Sequence, residues 1–166
     1  MQKRNVSKGF TLIEILVVIA IIGILASIVL VALNQSRQSA RVAKARIELK
    51  GLRTAMVSLE NDTNEWPGHK TIDDVETGSS GNEMWDLTVD EAGFMGTDGA
   101  FPNWNGPYFE NIPRDPWGNH YFFDTDYDVD PSGGATWASV VGSFGPNGVG
   151  QNLYDGDDVI ELLRSE

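Results

Sequence analysis

The sequence predicts an α+β chain in which one long N-terminal helix, membrane-compatible in its first half and amphipathic in its second, carries a small C-terminal antiparallel sheet. Three observations carry this prediction. An apolar run extends from Phe10 to about Leu33, apolar residues then recur at helical spacing from Val42 to Leu59, and short aromatic and β-branched runs separated by Gly, Asp and Pro close the chain.

As a helix, the first run measures about 36 Å at 1.5 Å per residue, enough to cross a hydrocarbon core of about 30 Å. Lys3, Arg4 and Lys8 precede it, as in a secretory signal peptide. The apolar part of such a peptide is only about 7–15 residues long and ends at a small-x-small cleavage site, a pattern this longer run lacks. The basic leader predicts a cytoplasmic N-terminus with the remainder exported.

Glu14 interrupts this run near its start. A lone acid deep in a membrane helix costs roughly 2.5–3.5 kcal/mol, so a compensating interaction is expected. The carboxylate can snorkel to the interface from near the helix end, or pair with a cation from another copy of the chain. Cleavage after Gly9 would create such a cation, the α-amino group of Phe10.

Gly9-Phe10-Thr11-Leu12-Ile13-Glu14, with its short basic leader, resembles the class III signal of type IV pilins and type II secretion pseudopilins. The resemblance implies a pilin-like fold and a cytoplasmic leader, residues 1–9, removed by a prepilin peptidase at Gly9–Phe10. It implies N-methylation of Phe10 and a docking role for Glu14 in a homopolymer. Residues 10–33 would form the transmembrane and filament-core helix, 34–60 its amphipathic continuation, and 61–166 the exported domain. Val31 stands where many members carry a proline that bends or melts the helix. The chain has no cysteine. Many type IV pilins carry a C-terminal disulfide loop whereas major pseudopilins commonly do not, so the resemblance tilts toward the latter.

The 24 acidic residues outnumber the 12 basic ones, for a net charge of −12. Arg37, Arg41, Lys44, Arg46, Lys50 and Arg53 form a basic collar just past the membrane run, while most acids lie beyond Asn61. An acidic exported face repels phosphates and argues against nucleic acid as a partner. The collar is suited to lipid headgroups or acidic faces of neighbouring subunits, or is simply a solvated helix surface.

Val42, Ala45, Leu49, Leu52, Met56 and Leu59 recur at alternating spacings of three and four, marking one face of a helix that continues to about Glu60. The rest of the chain is the expected cover for this face. A homotypic coiled coil is the alternative, although the repeat is short for one. Asn61-Asp62-Thr63-Asn64 and Pro67-Gly68 supply the stop.

A loop-rich stretch follows, with a short helix expected at Thr88–Ala92. Trp66, Trp85, Phe94, Phe101, Trp104 and Tyr108 suit either a carbohydrate-binding platform or the core of a domain poor in aliphatic residues there. Strands are expected around Tyr121–Phe123, Trp137–Val141 and Val159–Leu163. Gly106-Pro107-Tyr108 and Pro113-Arg114-Asp115-Pro116-Trp117-Gly118-Asn119-His120-Tyr121 resemble a segment of the type II secretion major pseudopilin, with His120 where proline is usual. Residues from about Lys70 to Asn103 match that family poorly and read as an insertion. Physically, Asp115-Pro116-Trp117-Gly118 is a turn that aims the chain into the first strand.

Ser143-Phe144-Gly145-Pro146-Asn147-Gly148, followed by Asp155-Gly156-Asp157-Asp158, offers the oxygen-rich, glycine-bent loop that calcium requires. The resemblance implies a structural Ca2+ held by the Phe144 carbonyl, the Asn147 side chain and Asp157, with Asp158 adjacent and Asp155 as a compensating ligand. Asn147 replaces the family's usual aspartate. Asp124, Asp126, Asp128 and Asp130 alternate but fail the EF-hand test, because Val129 stands where glycine is needed, and they are expected on one solvated face of a strand end. His69 and His120 lack ligand spacing, and no nucleophile elbow, phosphate loop or zinc motif is present.

The expected function is that of a non-enzymatic structural subunit, a major pseudopilin of a type II secretion pseudopilus. By resemblance its partners are the prepilin peptidase, minor pseudopilins, the membrane, and an inner-membrane assembly platform with its ATPase. A type IV pilin of a surface filament for adhesion, motility or DNA uptake is the related alternative. A monomeric membrane-anchored binding module, which would need neither Gly9 nor Glu14, is the alternative of another class, with a tethered enzyme behind it.

Overall fold

The structure is a computed structural model that describes residues 9–71, 83–130, 132–133, 136–151 and 154–163. The expected leader therefore lies outside the described residues except for Gly9, as does the part of the expected insertion between 72 and 82. The chain divides into two compact units, Met1–Ala40 and Arg41–Glu166.

A single helix, α1, spans Leu12–Thr63. It is unbroken past Val31, so the missing proline has the consequence its chemistry predicts: no backbone donor is lost and no ring clashes with the preceding turn. The stop comes at Asn64, whose φ of 57° is left-handed, a conformation asparagine tolerates. Its N–H still bonds the Glu60 carbonyl at 2.8 Å, and the Thr63 hydroxyl donates to the Leu59 carbonyl at 2.7 Å. The helix thus ends at Thr63 rather than Glu60.

In the first unit, the large apolar side chains from Phe10 to Leu33 are exposed. Their helix is long and apolar enough to cross a membrane.

In the second unit, Ala45, Leu49, Leu52, Met56 and Leu59 are buried and Val42 packs beside them. Their cover is a three-stranded antiparallel sheet of β1 (Phe122–Asp128), β2 (Trp137–Ser143) and β3 (Val159–Leu162), in the order β1-β2-β3. Phe123 pairs with Val141, and Val141 with Glu161. Tyr121, Phe123, Val141, Val159 and Leu163 join the helix stripe in one core. The stripe is therefore occupied by its own chain, which removes the coiled-coil alternative. Two polar ties reinforce the packing: Tyr121 Oη donates to Glu48 Oε2 at 2.5 Å, and Arg53 Nε to the Leu162 carbonyl at 3.1 Å. Arg53 is thus partly structural, and Lys44 pairs with Glu48 at 3.6 Å, while all six collar residues remain exposed.

The loop aromatics are chiefly packing residues. Trp66, Phe94 and Phe101 are buried, Trp104 Nε1 donates to the Gly93 carbonyl at 2.8 Å, and Tyr108 Oη donates to Asp62 at 2.8 Å. Three of these rings are buried and the other two, half-buried, are tied to the fold by hydrogen bonds, so they do not form the flat exposed platform a sugar would need. Only Asp90–Ala92 of the helix expected at Thr88–Ala92 is helical, as a single 3-10 turn. Asp86 captures both the N–H and hydroxyl of Thr88, at 2.8 and 2.6 Å, holding that residue in a turn instead.

The outer face of the sheet departs most from expectation. Phe122, Tyr127, Val140 and Phe144 form a second core, roofed by Trp85, Tyr154 and Ile160. Asp124 shares this side of β1 with Phe122 and is fully buried, and Asp126 is half-buried. The expectation that the alternating acids lie on one solvated face is corrected: exposure rises along the row, from buried Asp124 through half-buried Asp126 and Asp128 to exposed Asp130, and loop aromatics cover its first end.

His69 links the turn after α1 to a distant loop, with Nδ1 2.8 Å from Glu65 and Nε2 3.0 Å from Asp98. Burial of the ring opposes its charging, but the two carboxylates outweigh burial and raise the pKa above the ordinary 6.5. A raised histidine contributes stability that is full below the unfolded pKa and fades as pH rises through the folded one. Melting curves of the wild type and His69→Asn should therefore differ most below about pH 6.5 and converge at higher pH.

Candidate functional site

Two regions carry the residues singled out by sequence. At the N-terminus, Gly9 and Phe10 precede α1 in non-helical, exposed backbone, with Phe10 85% exposed. The scissile bond expected there is thus not locked into helical hydrogen bonding. Thr11 caps the helix: its hydroxyl oxygen accepts the Glu14 backbone N–H at 3.3 Å, while Glu14 Oε2 accepts the Thr11 N–H at 2.7 Å and hydroxyl at 2.8 Å. This reciprocal arrangement is a capping box. It supplies a local partner for the lone carboxylate, which neither snorkelling nor intersubunit pairing had included. The Thr-x-x-Glu spacing was the available signal. Both bonds fall on Oε2, so Glu14 can keep its cap while its other oxygen meets a second donor.

The second region is the loop between β2 and β3. Asn147 sits between two acids: its Nδ2 donates to Asp155 Oδ2 at 2.7 Å and Asp157 Oδ1 at 2.6 Å, and its backbone N–H donates to Asp157 Oδ2 at 3.1 Å. Asn147 Oδ1 accepts the Val149 N–H at 2.7 Å. Gly145, with φ of 62°, lies directly under the Asp157 carbonyl, which a Cβ would strike. The chain can close here only with glycine at that position. Asp157 is pushed up by the neighbouring Asp155 carboxylate, with smaller help from burial, whereas the bonds Asp155 accepts from Asp157 and Asn147 hold it below the usual range.

Of the five ligands named from sequence, the structure groups Asn147, Asp155 and Asp157. Asp158 faces Tyr127, whose hydroxyl donates to Asp158 Oδ2 at 2.8 Å, fastening the loop to β1. Burial raises Asp158 to about 6, the Tyr127 bond opposing it. Phe144 contributes its ring to the outer core, stacked on Phe122 with ring centroids 4.5 Å apart.

The Asp115–Asn119 turn buttresses this loop. Asp115 is buried and accepts from Trp117 N–H at 2.9 Å, Asn119 N–H at 2.8 Å and Ser143 Oγ at 2.6 Å. Ser143 Oγ in turn accepts the Gly145 N–H at 3.2 Å. One carboxylate thereby fixes both the turn entering β1 and the first residues of the β2–β3 loop.

A profile described as the prokaryotic N-terminal methylation motif matches residues 4–30, and one described as type II secretion system protein G matches residues 92–152. The type II secretion system core protein G of Aeromonas hydrophila is 35% identical over 121 residues, 73% of this chain and 74% of that protein. The chain belongs to the type II secretion system protein G family. The core protein G of Escherichia coli K12 is 34% identical over 121 residues, again covering 73% of this chain and 74% of the relative. A fimbrial protein of Neisseria meningitidis is 40% identical over a shorter 76 residues, 46% of this chain and 45% of that protein. Among solved structures, the major pseudopilin of the enterohaemorrhagic Escherichia coli type 2 secretion system shares 20% identity at a TM-score of 0.44, covering 76% of this chain and 86% of that one. In this member of the protein G family, the matched segments contain Gly9, Phe10 and Glu14 at one end, and the Asp115 turn with Phe144 and Asn147 at the other. Asp155, Asp157 and Asp158 lie beyond the second match.

Replacing Asp115 with alanine strands the buried Ser143 hydroxyl and two turn N–H groups. Each buried group left unsatisfied costs about 1–3 kcal/mol, so urea denaturation should show a loss of at least that size, smaller in Asp115→Asn.

Proposed function

We propose that this chain is a structural, non-enzymatic subunit of a type II secretion pseudopilus. A prepilin peptidase removes the leader at Gly9–Phe10, Phe10 becomes N-methylated, and α1 polymerises into the filament core with the exported domain outside. The observation that carries this reading is the exposed apolar surface from Phe10 to Leu33, preceded by an open Gly9–Phe10 bond and matched by the methylation motif. Such a surface requires lipid before assembly and sister helices afterwards.

In assembly, Glu14 accepts the α-ammonium of Phe10 from a neighbouring subunit while Thr11 continues to cap the helix. A paired charge in an apolar surround favours one stagger, because any other leaves both charges unpaired. The inner-membrane platform, its ATPase and minor pseudopilins are the partners this function requires. The basic leader keeps the N-terminus cytoplasmic and sends the acidic domain across the inner membrane. The surface-filament reading is second: the fimbrial relative covers 46% of the chain, the protein G relatives 73%.

The β2–β3 loop is proposed as a structural calcium site. Its chemistry fits, since Asn147 Nδ2 already offers positive hydrogens to Asp155 and Asp157 where a cation would neutralise them. Turning the amide over would present Oδ1 to the same place at the cost of the Val149 bond. Asn147, Asp155 and Asp157 would hold the ion, with the Phe144 carbonyl and Asp158 as further oxygen donors. The bound ion supplies loop rigidity.

Intact mass of the chain expressed with a prepilin peptidase should show loss of Met1–Gly9 and a methyl on the new terminus. Glu14→Ala should insert in membranes normally yet form few filaments, and normal filament yield from that variant would overturn the docking role. Calcium should raise the melting temperature and protease resistance of the wild type, and Asp157→Asn should reduce both gains.

A further inference from the structure

Outside the loop and the N-terminus, the feature most in need of a physical account is the acid group buried under the outer sheet face. Phe123 and Met84 form an isolated antiparallel bridge, with Met84 N–H to the Phe123 carbonyl at 2.7 Å and the reverse bond at 2.8 Å. Antiparallel pairing then sets Glu83, one residue before Met84, against Asp124, one residue after Phe123. The β1–β2 register shifts between Asp124 and Tyr127, an irregularity of the kind that re-aims side chains at an edge strand. Asp126 is thereby brought to the same point, and carboxylate oxygens of Glu83, Asp124 and Asp126 lie within 4.8 Å of one another.

This group is more than a patch of surface acids. Asp124 is 0% exposed. Its Oδ1 accepts the Asp126 N–H at 2.9 Å, but its Oδ2 is buried with no hydrogen-bond donor, as is Asp126 Oδ1. Burying a carboxylate oxygen without a donor is costly, and gathering like charges around it compounds the cost. Tyr154 roofs the site, its hydroxyl donating to the Asp126 carbonyl at 3.3 Å and its ring standing edge-on to Tyr127 at 4.6 Å. The three convergent donors are all carboxylates, which suits a hard divalent cation and disfavours the softer nitrogen- and sulfur-seeking metals.

We propose that Glu83, Asp124 and Asp126 form a second cation site, sharing no residue with the β2–β3 loop, at which a calcium-class ion clamps the Glu83–Met84 segment to the edge strand β1. The ion supplies the positive partner that the two donorless oxygens face.

The test is calorimetric titration of calcium into the full chain in detergent micelles after removal of divalent ions with a chelator. Alongside the wild type go a loop-disabled variant, Asn147→Ala with Asp157→Asn, a cluster variant, Asp124→Asn with Asp126→Asn, and the milder Glu83→Gln. The loop-disabled chain should still bind one calcium per chain and melt higher with calcium than without. Adding Glu83→Gln should weaken that binding about tenfold or more, since affinity follows ligand charge. Adding the cluster substitutions should abolish it. In chelator, the cluster variant should melt no lower than the wild type, because amides are less costly to bury than charges.

A loop-disabled chain that binds no calcium and melts identically with and without it would overturn the proposal. Binding that survives both Glu83→Gln and the cluster substitutions would also overturn it. Failure of the loop reading alone looks different: the loop-disabled chain would bind as the wild type does, and the cluster variant would bind nothing. Glu83 is only half-buried, so Glu83→Gln keeps the proposal decidable even if the double substitution at β1 fails to fold.

Discussion

Coverage of the apolar stripe from Ala45 to Leu59 is the constraint on which the second unit, Arg41–Glu166, depends. Those side chains face one way because helical spacing leaves them no alternative, and water is excluded only when Tyr121, Phe123 and Val141 lie against them. Once Phe123 is committed to the helix, strand alternation commits Phe122 and Asp124 to the opposite side. The outer face must then find its own cover, which Trp85, Phe144 and Tyr154 provide. The burial of Asp124 and the anchoring of the β2–β3 loop are downstream results of that one contact.

The N-terminal apolar surface poses the same thermodynamic problem with a different solution. From Phe10 to Leu33 the large apolar side chains are exposed, and in the proposed function their burial is left to lipid and, in the filament, to sister helices. The capping box at Thr11 and Glu14 adds a detail to that picture. An acid that accepts a backbone N–H and a hydroxyl at the helix start through one oxygen has its other oxygen left for a second donor. Capping and the proposed docking are compatible uses of a group with two oxygens.

The domain's negative charge is handled chiefly by local devices. Asp115 spends its oxygens on turn and strand donors, Asp158 on Tyr127, and Asp155 and Asp157 on Asn147. Asn147 stands between two acids; its amide avoids the repulsion that a third carboxylate would create, and it holds the loop in shape. Asp124 is handled differently: burial pushes its carboxyl up to about 7, the Asp126 N–H opposes this, and the Asp126 side chain, by hydrogen bond and charge, and the Glu83 charge add to the rise.

The sequence alone determined whatever depends on neighbours a few residues apart. Periodicity identified α1 and its buried face, turn residues placed its end to within a turn, and the Gly9–Glu14 motif pointed to the family that the relatives confirm. Asn147, Asp155 and Asp157 were legible as one loop because short glycine-bent spans bring their residues together. Tertiary structure alone decided which face of β1 was covered, because the aromatics responsible, Trp85 and Tyr154, are remote from Asp124 in sequence. It also decided that Glu83 would meet Asp124 and Asp126, through a single bridge at Met84 with no local signature. Alternation fixes which residues share a side of a strand, but whether that side is wet depends on what distant chain arrives to cover it.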